Sequence, residues 1–298
     1  DGQIAEKTIL DLKRLKKKGK PFFLACGFIK PHLPFYAPKK YWDLYDREAL
    51  ELADNLERPK NAPSALRGSG EIHSYHNRGM KYNSEEWHRS CLHGYYACVS
   101  YVDALVGRLL KQLEVSGLAE NTVVCLWGDH GFHLGEQGLW TKANNYELST
   151  RVPLIVAAPG QPKGNSDAFV ELVDVFPTVC ELAGLAVPRG LEGKSFLPLL
   201  SEPNRKWKTA AFSQYPRSLK RNRHSSHGDV MGYAIRTERY RFVQWQNWET
   251  KVVVARELYS LRDDPHEMKN IVNDADAKAV VARLAKRLAK GWKDALPK

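Results

Sequence analysis

The sequence lacks any apolar run approaching the roughly 20 residues that a membrane-spanning helix needs, so we expect no membrane partner. It also has no internal repeat and no low-complexity segment. Cysteine is sparse, and four of the five cysteines (Cys26, Cys98, Cys125 and Cys180) lie in apolar patterns. An odd number of cysteines in such settings predicts small buried side chains rather than a disulfide framework.

The chain has enough hydrophobic residues for a sizeable core, and its net charge is basic. Hydrophobic residues make up 43% of the 298 positions, enough for one or two globular domains. The net charge of +11 favours anionic partners, but no recognition motif supports nucleic acid. Residues 217–224 are rich in arginine and lysine; we interpret them as a surface loop, with contact to a polyanion as the alternative.

The hydrophobic periodicity predicts an alternation of helices and strands. Helices are expected near 3–18, 84–116, 173–184 and 275–292, and strands near 22–28, 122–127 and 153–158, followed by strands at 209–214, 232–237, 240–245 and 252–259. We therefore predict an α/β fold with a mixed, mostly parallel sheet flanked by helices, and a smaller carboxyl-terminal antiparallel α+β subdomain. The predicted domains are 1–205 and 206–298.

An Asp-His pair flanked by glycines follows the predicted strand 122–127 directly, as Gly128-Asp129-His130-Gly131. Ligands gather beyond the carboxyl ends of strands in open α/β sheets, and a carboxylate beside an imidazole can bind a divalent cation. Taken alone, the pair is better explained as an Asp-Gly-type turn with a surface histidine, and only its continuation favours a site.

The pair belongs to a longer ordered series of motifs. It continues with Leu134-Gly135-Glu136, Trp140-Thr141-Lys142 and Val152-Pro153-Leu154-Ile155; before it stands Lys30-Pro31-His32-Leu33-Pro34-Phe35, and after it come residues 170–178, 231–237 and 257–259. In this collinear order the chain resembles the sulfatases of the alkaline-phosphatase-like superfamily, and more narrowly the iduronate-2-sulfatase branch. That resemblance covers nearly all of the chain.

One feature of the sulfatases has no counterpart among these residues. Sulfatases carry a Cys-x-Pro/Ala-x-Arg motif whose cysteine becomes formylglycine, and a paired-aspartate metal site, in an amino-terminal portion. None of the five cysteines here fits that motif. We therefore expect this chain to be the carboxyl-terminal part of a sulfatase, inactive alone, whose formylglycine-bearing part belongs to a longer precursor or to a separate chain.

The resemblance assigns roles to four residues. It implies that Asp129 and His130 lie at a Ca²⁺ site, although histidine is a poor calcium ligand and His130 could instead hydrogen-bond a sulfate oxygen or the nucleophile. It implies that Lys142 contacts the sulfate, and that His32 donates a proton to the leaving oxygen or binds the sulfate. An exposed lysine and a histidine packed between prolines are the structural alternatives.

The implied function is hydrolysis of a sulfate ester on a sulfated sugar or polysaccharide. A non-catalytic sulfatase-like fragment or binding module is the alternative, because the nucleophile motif is absent. Phosphoester hydrolysis on the same superfamily fold is a weaker one, since extra His/Asp pairs for a second metal are not evident.

Overall fold

The computed structural model describes residues 1–75, 77, 79–218 and 229–297. They fall into two compact units, the first formed by Asp1–Asp54 and Gly70–Thr122 and the second by Asn55–Ser69 and Val123–Lys298. This division differs from the predicted domains 1–205 and 206–298, which stay a prediction. No helix in the described ranges is both long and apolar enough to cross a membrane.

Three helices build the first unit: α1 (Gly2–Lys18), α2 (Lys39–Trp42) and α3 (Glu85–Val115). The predicted helices near 3–18 and 84–116 are thus confirmed. In α3 the Ser84 hydroxyl accepts a hydrogen bond from the main-chain nitrogen of Trp87, and two glutamates occupy the first turn. Both features stabilise a helix amino terminus, where main-chain N–H groups lack partners and the dipole is positive.

The strand predicted near 22–28 is not formed. The residues of the segment alternate between exposed and partly buried, but the segment joins no ladder among the described residues. Phe23, for example, is 84% exposed, whereas the Sγ of Cys26 lies 3.3 Å from the Thr8 hydroxyl of α1. The apolar run predicted a strand, but a strand also needs a hydrogen-bonded neighbour.

The second unit begins with strand β1 (Val124–Trp127), which pairs with β4 (Leu154–Ala157). Between them lie a two-stranded ribbon of β2 (His133–Leu134) and β3 (Trp140–Thr141), and the short helix α4 (Glu147–Thr150). The β1–β4 pair is antiparallel, so the expected parallel arrangement is wrong for these two strands. A parallel pair needs a crossover connection, usually an α-helix, whereas residues 128–153 hold the ribbon and only short helical turns.

The rest of the second unit follows the prediction closely. Helices α5 (Val175–Leu182) and α6 (Leu197–Ser201) precede four antiparallel strands in the order β5 (Ala211–Arg217), β6 (Val230–Arg236), β7 (Tyr240–Asn247) and β8 (Val253–Ser260). Helix α7 (Lys278–Lys290) packs on this sheet through Leu284, against Ile235, Phe242 and Leu258. The α/β fold with a carboxyl-terminal antiparallel sheet is therefore confirmed.

Candidate functional site

A tight loop after β1 carries Asp129 and His130. The main-chain nitrogen of Gly131 donates to the Ser149 carbonyl at 2.9 Å. A Cβ at position 131 would lie 2.0 Å from the Leu148 carbonyl oxygen, far inside van der Waals contact. The glycine is therefore required by the close approach of two main chains, and this approach fixes the loop against the α4 segment.

The hydrogen bonds of His130 define which ring nitrogen is available to a ligand. Its Nδ1 lies 2.8 Å from the Gly131 carbonyl oxygen, which can only accept, so Nδ1 carries the hydrogen. In the neutral ring the Nε2 lone pair is then free to accept a proton or to bind a cation. The Asp129 carboxylate lies 3.6 Å from Nε2, and its side chain is 86% exposed.

Lys142 is brought to this loop by the β2–β3 ribbon. Thr141 is paired with His133, so the residue after Thr141 lies at the same end of the ribbon as the residues before His133. Thr141 has φ 74°, a conformation that β-branched residues rarely adopt, and it is fully buried. A positive φ at a β-branched residue persists only where the surrounding structure enforces it. The conformation of Thr141 therefore sets the direction of the main chain at the next residue, Lys142.

Buried polar contacts hold the segment that follows Lys142. The Asn144 side chain contacts Nε2 of His133 and accepts a hydrogen bond from the Tyr146 main chain. The Tyr146 hydroxyl donates to Glu257 at 2.7 Å, and Trp245 donates to the same carboxylate at 2.6 Å. Because every partner is buried, the loop carrying Lys142 is anchored to the carboxyl-terminal sheet.

Charge also fastens this segment. Glu147 forms ion pairs with Arg241 and Arg236, and Arg241 pairs in turn with the buried Glu267. Burial opposes ionisation of Glu147, but the two arginines outweigh it and its pKa stays below the ordinary value. The ion pairs of the Glu147 carboxylate with the two guanidinium groups thereby hold the α4 turn in place.

The donor set at Asp129 does not make a calcium site by itself. Ca²⁺ takes six to eight oxygen ligands, roughly, whereas this loop offers one carboxylate and one imidazole. Among the described residues no group of three or more His, Cys, Asp or Glu side chains could hold a metal ion. Asp129 and His130 can supply at most part of a cation site, and the predicted metal role stays a prediction.

His32 lies in the first unit and is paired with a residue that the sequence did not reveal. Its Nδ1 is 2.8 Å from the Leu33 carbonyl oxygen, and its Nε2 is 3.2 Å from a carboxylate oxygen of Glu71. Both ring nitrogens therefore face hydrogen-bond acceptors, and the Glu71 carboxylate orients Nε2. This arrangement suits a proton donor, the role that the resemblance implies for His32.

Lys30 stabilises the loop around His32 and is not assigned as a ligand. Its ammonium group donates to the carbonyls of His32 and Pro34, each at 2.7 Å. Burial lowers its pKa. These bonds fix the loop around His32.

The four predicted site residues therefore divide between the two units. Asp129, His130 and Lys142 share one loop–ribbon element in the second unit, and His32 lies in the first. Convergence of all four on one substrate stays a prediction.

The remaining sequence motifs prove to be scaffold. In the segment 170–178, Glu171 and Asp174 form a reciprocal cap and both bind the ammonium group of Lys208. In 231–237, a Cβ at Gly232 would lie 2.7 Å from the Trp245 ring, so only glycine fits there. Glu71 and Asn144 were missed because nothing in their sequence neighbourhood distinguishes them from ordinary polar residues.

Family models match both parts of the chain. The sulfatase model matches residues 1–185, and the model of the N-sulphoglucosamine sulphohydrolase carboxyl-terminal region matches 135–294. Human iduronate 2-sulfatase is 32% identical over 345 residues, covering 92% of this chain. A sulfatase of Formosa agariphila is 33% identical over 285 residues, covering 94% of it. The chain spans 52% and 62% of the length of the Formosa and human relatives, respectively.

Solved structures show the same fold. A protein in complex with its substrate D-glucosamine-2-N,6-O-disulfate superposes with a TM-score of 0.79 at 23% identity, covering 98% of this chain and 70% of that one. A phosphonate monoester hydrolase from Silicibacter pomeroyi gives 0.76 at 20% identity, covering 96% and 60%. The predicted resemblance, including the likeness to iduronate 2-sulfatase, is confirmed, and the chain belongs to the sulfatase family.

Proposed function

We propose that this chain forms the sulfate-binding and proton-donating part of a sulfuric ester hydrolase acting on a sulfated sugar, as iduronate 2-sulfatase does by its name. The observation that carries the proposal is the loop–ribbon element, which holds Lys142 at the same end as the Asp129–His130 loop. A sulfate monoester repels nucleophiles through its own charge, so catalysis needs positive donors on the sulfate. Lys142 is positioned to serve as one.

His32 supports the second half of the chemistry. Cleavage of the ester leaves an alkoxide that must gain a proton, and an imidazolium held by Glu71 can provide it. After the transfer, the neutral ring can recover its proton from water. The proposal therefore assigns sulfate contact to Lys142 and leaving-group protonation to His32.

Sulfatases as a family use a divalent cation and formylglycine. We propose that Asp129 and His130 contribute ligands to a Ca²⁺ site completed by residues outside 1–298, and that the formylglycine comes from the same source, on a longer precursor or a separate chain. The shorter span of this chain relative to its relatives supports this part of the proposal. A cation there would offset negative charge on the sulfate.

The test uses the protein purified under non-denaturing conditions from its native source. We expect it to release inorganic sulfate from iduronate 2-sulfate or another sulfated sugar, and intact-mass spectrometry to find formylglycine in it. Residues 1–298 alone should not turn over a nitrophenyl sulfate, because the covalent nucleophile is absent. Turnover by residues 1–298 that Lys142→Ala leaves unchanged would contradict the proposal.

A non-catalytic role in binding sulfated carbohydrate is the second candidate. The lack of a Cys-x-Pro/Ala-x-Arg motif in the chain favours it. A native preparation that binds sulfated sugars, lacks formylglycine and releases no sulfate would establish this alternative.

A further inference from the structure

Two arginines of the second unit lie beside the Lys142 loop. The Nη2 group of Arg217 donates hydrogen bonds to the main-chain carbonyls of Arg67 and Ala143. Ala143 is the residue directly after Lys142. The guanidinium of Arg217, at the end of β5, is therefore hydrogen-bonded to the residue next to Lys142, the proposed sulfate contact.

The segment carrying Arg67 is tied to the other side of the same loop. Ser69 lies two residues after Arg67, and its hydroxyl oxygen is 3.1 Å from that of Thr141. Thr141 directly precedes Lys142. Both chain neighbours of Lys142 therefore contact the two segments that supply the arginines.

These arginines have positive charge without a matching acid. No ion pair joins either of them to an Asp or Glu in the described part of the chain. Arg217 is only 8% exposed, and its Nε is buried without a hydrogen-bond partner. Burial, with a smaller effect from Arg67, lowers the pKa of Arg217 to about 10, although contact with the Tyr215 ring opposes this. A buried cation without a counter-ion is costly, so Arg217 suits an anionic ligand, and the exposed Arg67 beside it can contact the same ligand from the solvent side.

We propose that Arg67 and Arg217 form a subsite for a second oxyanion of the substrate, a carboxylate or a sulfate, on the sugar whose sulfate ester lies at Lys142. The inference rests on the proposed function. The forked donors of a guanidinium match the geometry of such groups better than an ammonium does. The preferred substrate is therefore a doubly anionic sulfated sugar rather than a simple sulfate ester.

The basic segment at 217–224 is partly explained by this subsite. Arg217 belongs to strand β5 and not to the loop that the sequence predicted. Residues 219–228 lie outside the described residues. The polyanion contact of the basic segment stays a prediction, and the proposed subsite uses Arg217 alone from it.

The test measures binding of three ligands to the 298-residue chain by calorimetry: N-acetylglucosamine 6-sulfate with one anionic group, glucosamine N,6-disulfate with two sulfates, and iduronate 2-sulfate with a sulfate and a carboxylate. We expect at least one doubly anionic ligand to bind about tenfold more tightly than the first. The ligand that binds more tightly shows whether the second anionic group of the substrate is a sulfate or a carboxylate.

Arg67→Gln should remove this gain and leave affinity for N-acetylglucosamine 6-sulfate within about twofold, because Arg67 is exposed and its loss leaves no cavity. Arg217→Lys, which keeps the charge but loses the fork, should reduce the gain, with a thermal melt to verify folding. Arg283→Gln, at an exposed arginine on α7, is the matched control and should change nothing.

Equal affinity for all three ligands, no binding of any, or an equal loss for all three in Arg67→Gln would overturn the subsite. The outcomes separate it from the proposed function. If the native protein releases no sulfate but the Arg67-dependent gain persists, the hydrolase proposal fails and the subsite stands. If sulfate is released without any gain, only the subsite fails.

Discussion

His32 and Glu71 face each other with 3.2 Å between the imidazole Nε2 and a carboxylate oxygen, while the opposite ring nitrogen faces a carbonyl. The carboxylate holds Nε2, and the Leu33 carbonyl holds the opposite nitrogen, so the ring has one defined orientation. Glu71 is thus a positioning residue for the proposed proton donor. It begins a short 3₁₀ turn, Glu71–Ser74.

We expect Glu71→Gln to lower turnover of the native enzyme about tenfold or more, because a neutral amide holds the imidazole of the proposed proton donor in place less firmly than a carboxylate does. Sulfate release and the thermal midpoint should be measured together. Glu51→Gln, at an exposed glutamate of the same unit, is the control and should leave both unchanged. A wild-type rate in Glu71→Gln, or a rate that falls only in step with a lower thermal midpoint, would remove the positioning role.

Gly131→Ala should destabilise the second unit by about 1–3 kcal/mol, since the added methyl group must displace the Leu148 carbonyl. Chemical denaturation of residues 1–298 measures this. Gly164→Ala is the matched control, because a Cβ there meets only Pro203 at 4.0 Å. Equal stabilities of the two variants would show that the loop after β1 yields easily, contrary to a rigid site.

The sequence predicted most of the helices and the whole carboxyl-terminal sheet because these elements bury apolar residues at regular spacing. It failed at 22–28, where an apolar run was present but no partner strand lies among the described residues, and at β1–β4, where pairing direction depends on the connection rather than on the strands. For the site, the Asp129 and Lys142 motifs were visible as local patterns. Glu71 was not, since its role depends on the 38 intervening residues folding back to His32.

His133 should make the stability of the second unit depend on pH. Burial lowers its pKa from the ordinary 6.5 to about 4. A histidine with a depressed pKa in the folded state favours folding in its neutral form, so its contribution is complete above pH 6.5 and is lost as the pH falls towards 4. The loss should reach about 3 kcal/mol.

Urea unfolding of residues 1–298 between pH 7 and pH 4 measures this slope. In His133→Gln the slope should be smaller, because no proton is then taken up on unfolding. His266→Gln, at an exposed histidine, should keep the wild-type slope. A wild-type slope in His133→Gln would show that its ring is hydrated or already protonated in the folded chain.

Asp129→Asn should weaken metal binding and activity of the native enzyme far more than Glu136→Gln. Asp129 directly follows the Gly128 turn and projects an 86% exposed carboxylate, so its charge is available to a dication. Glu136 instead accepts a hydrogen bond from the Leu134 main chain at 2.6 Å, and a glutamine carbonyl can accept the same bond. The two substitutions are nearly isosteric, so packing changes should be small in both. Calorimetry with Ca²⁺ and sulfate release should be measured for both variants. Equal losses, or unchanged Ca²⁺ affinity in Asp129→Asn, would mean that the cation is held by other residues.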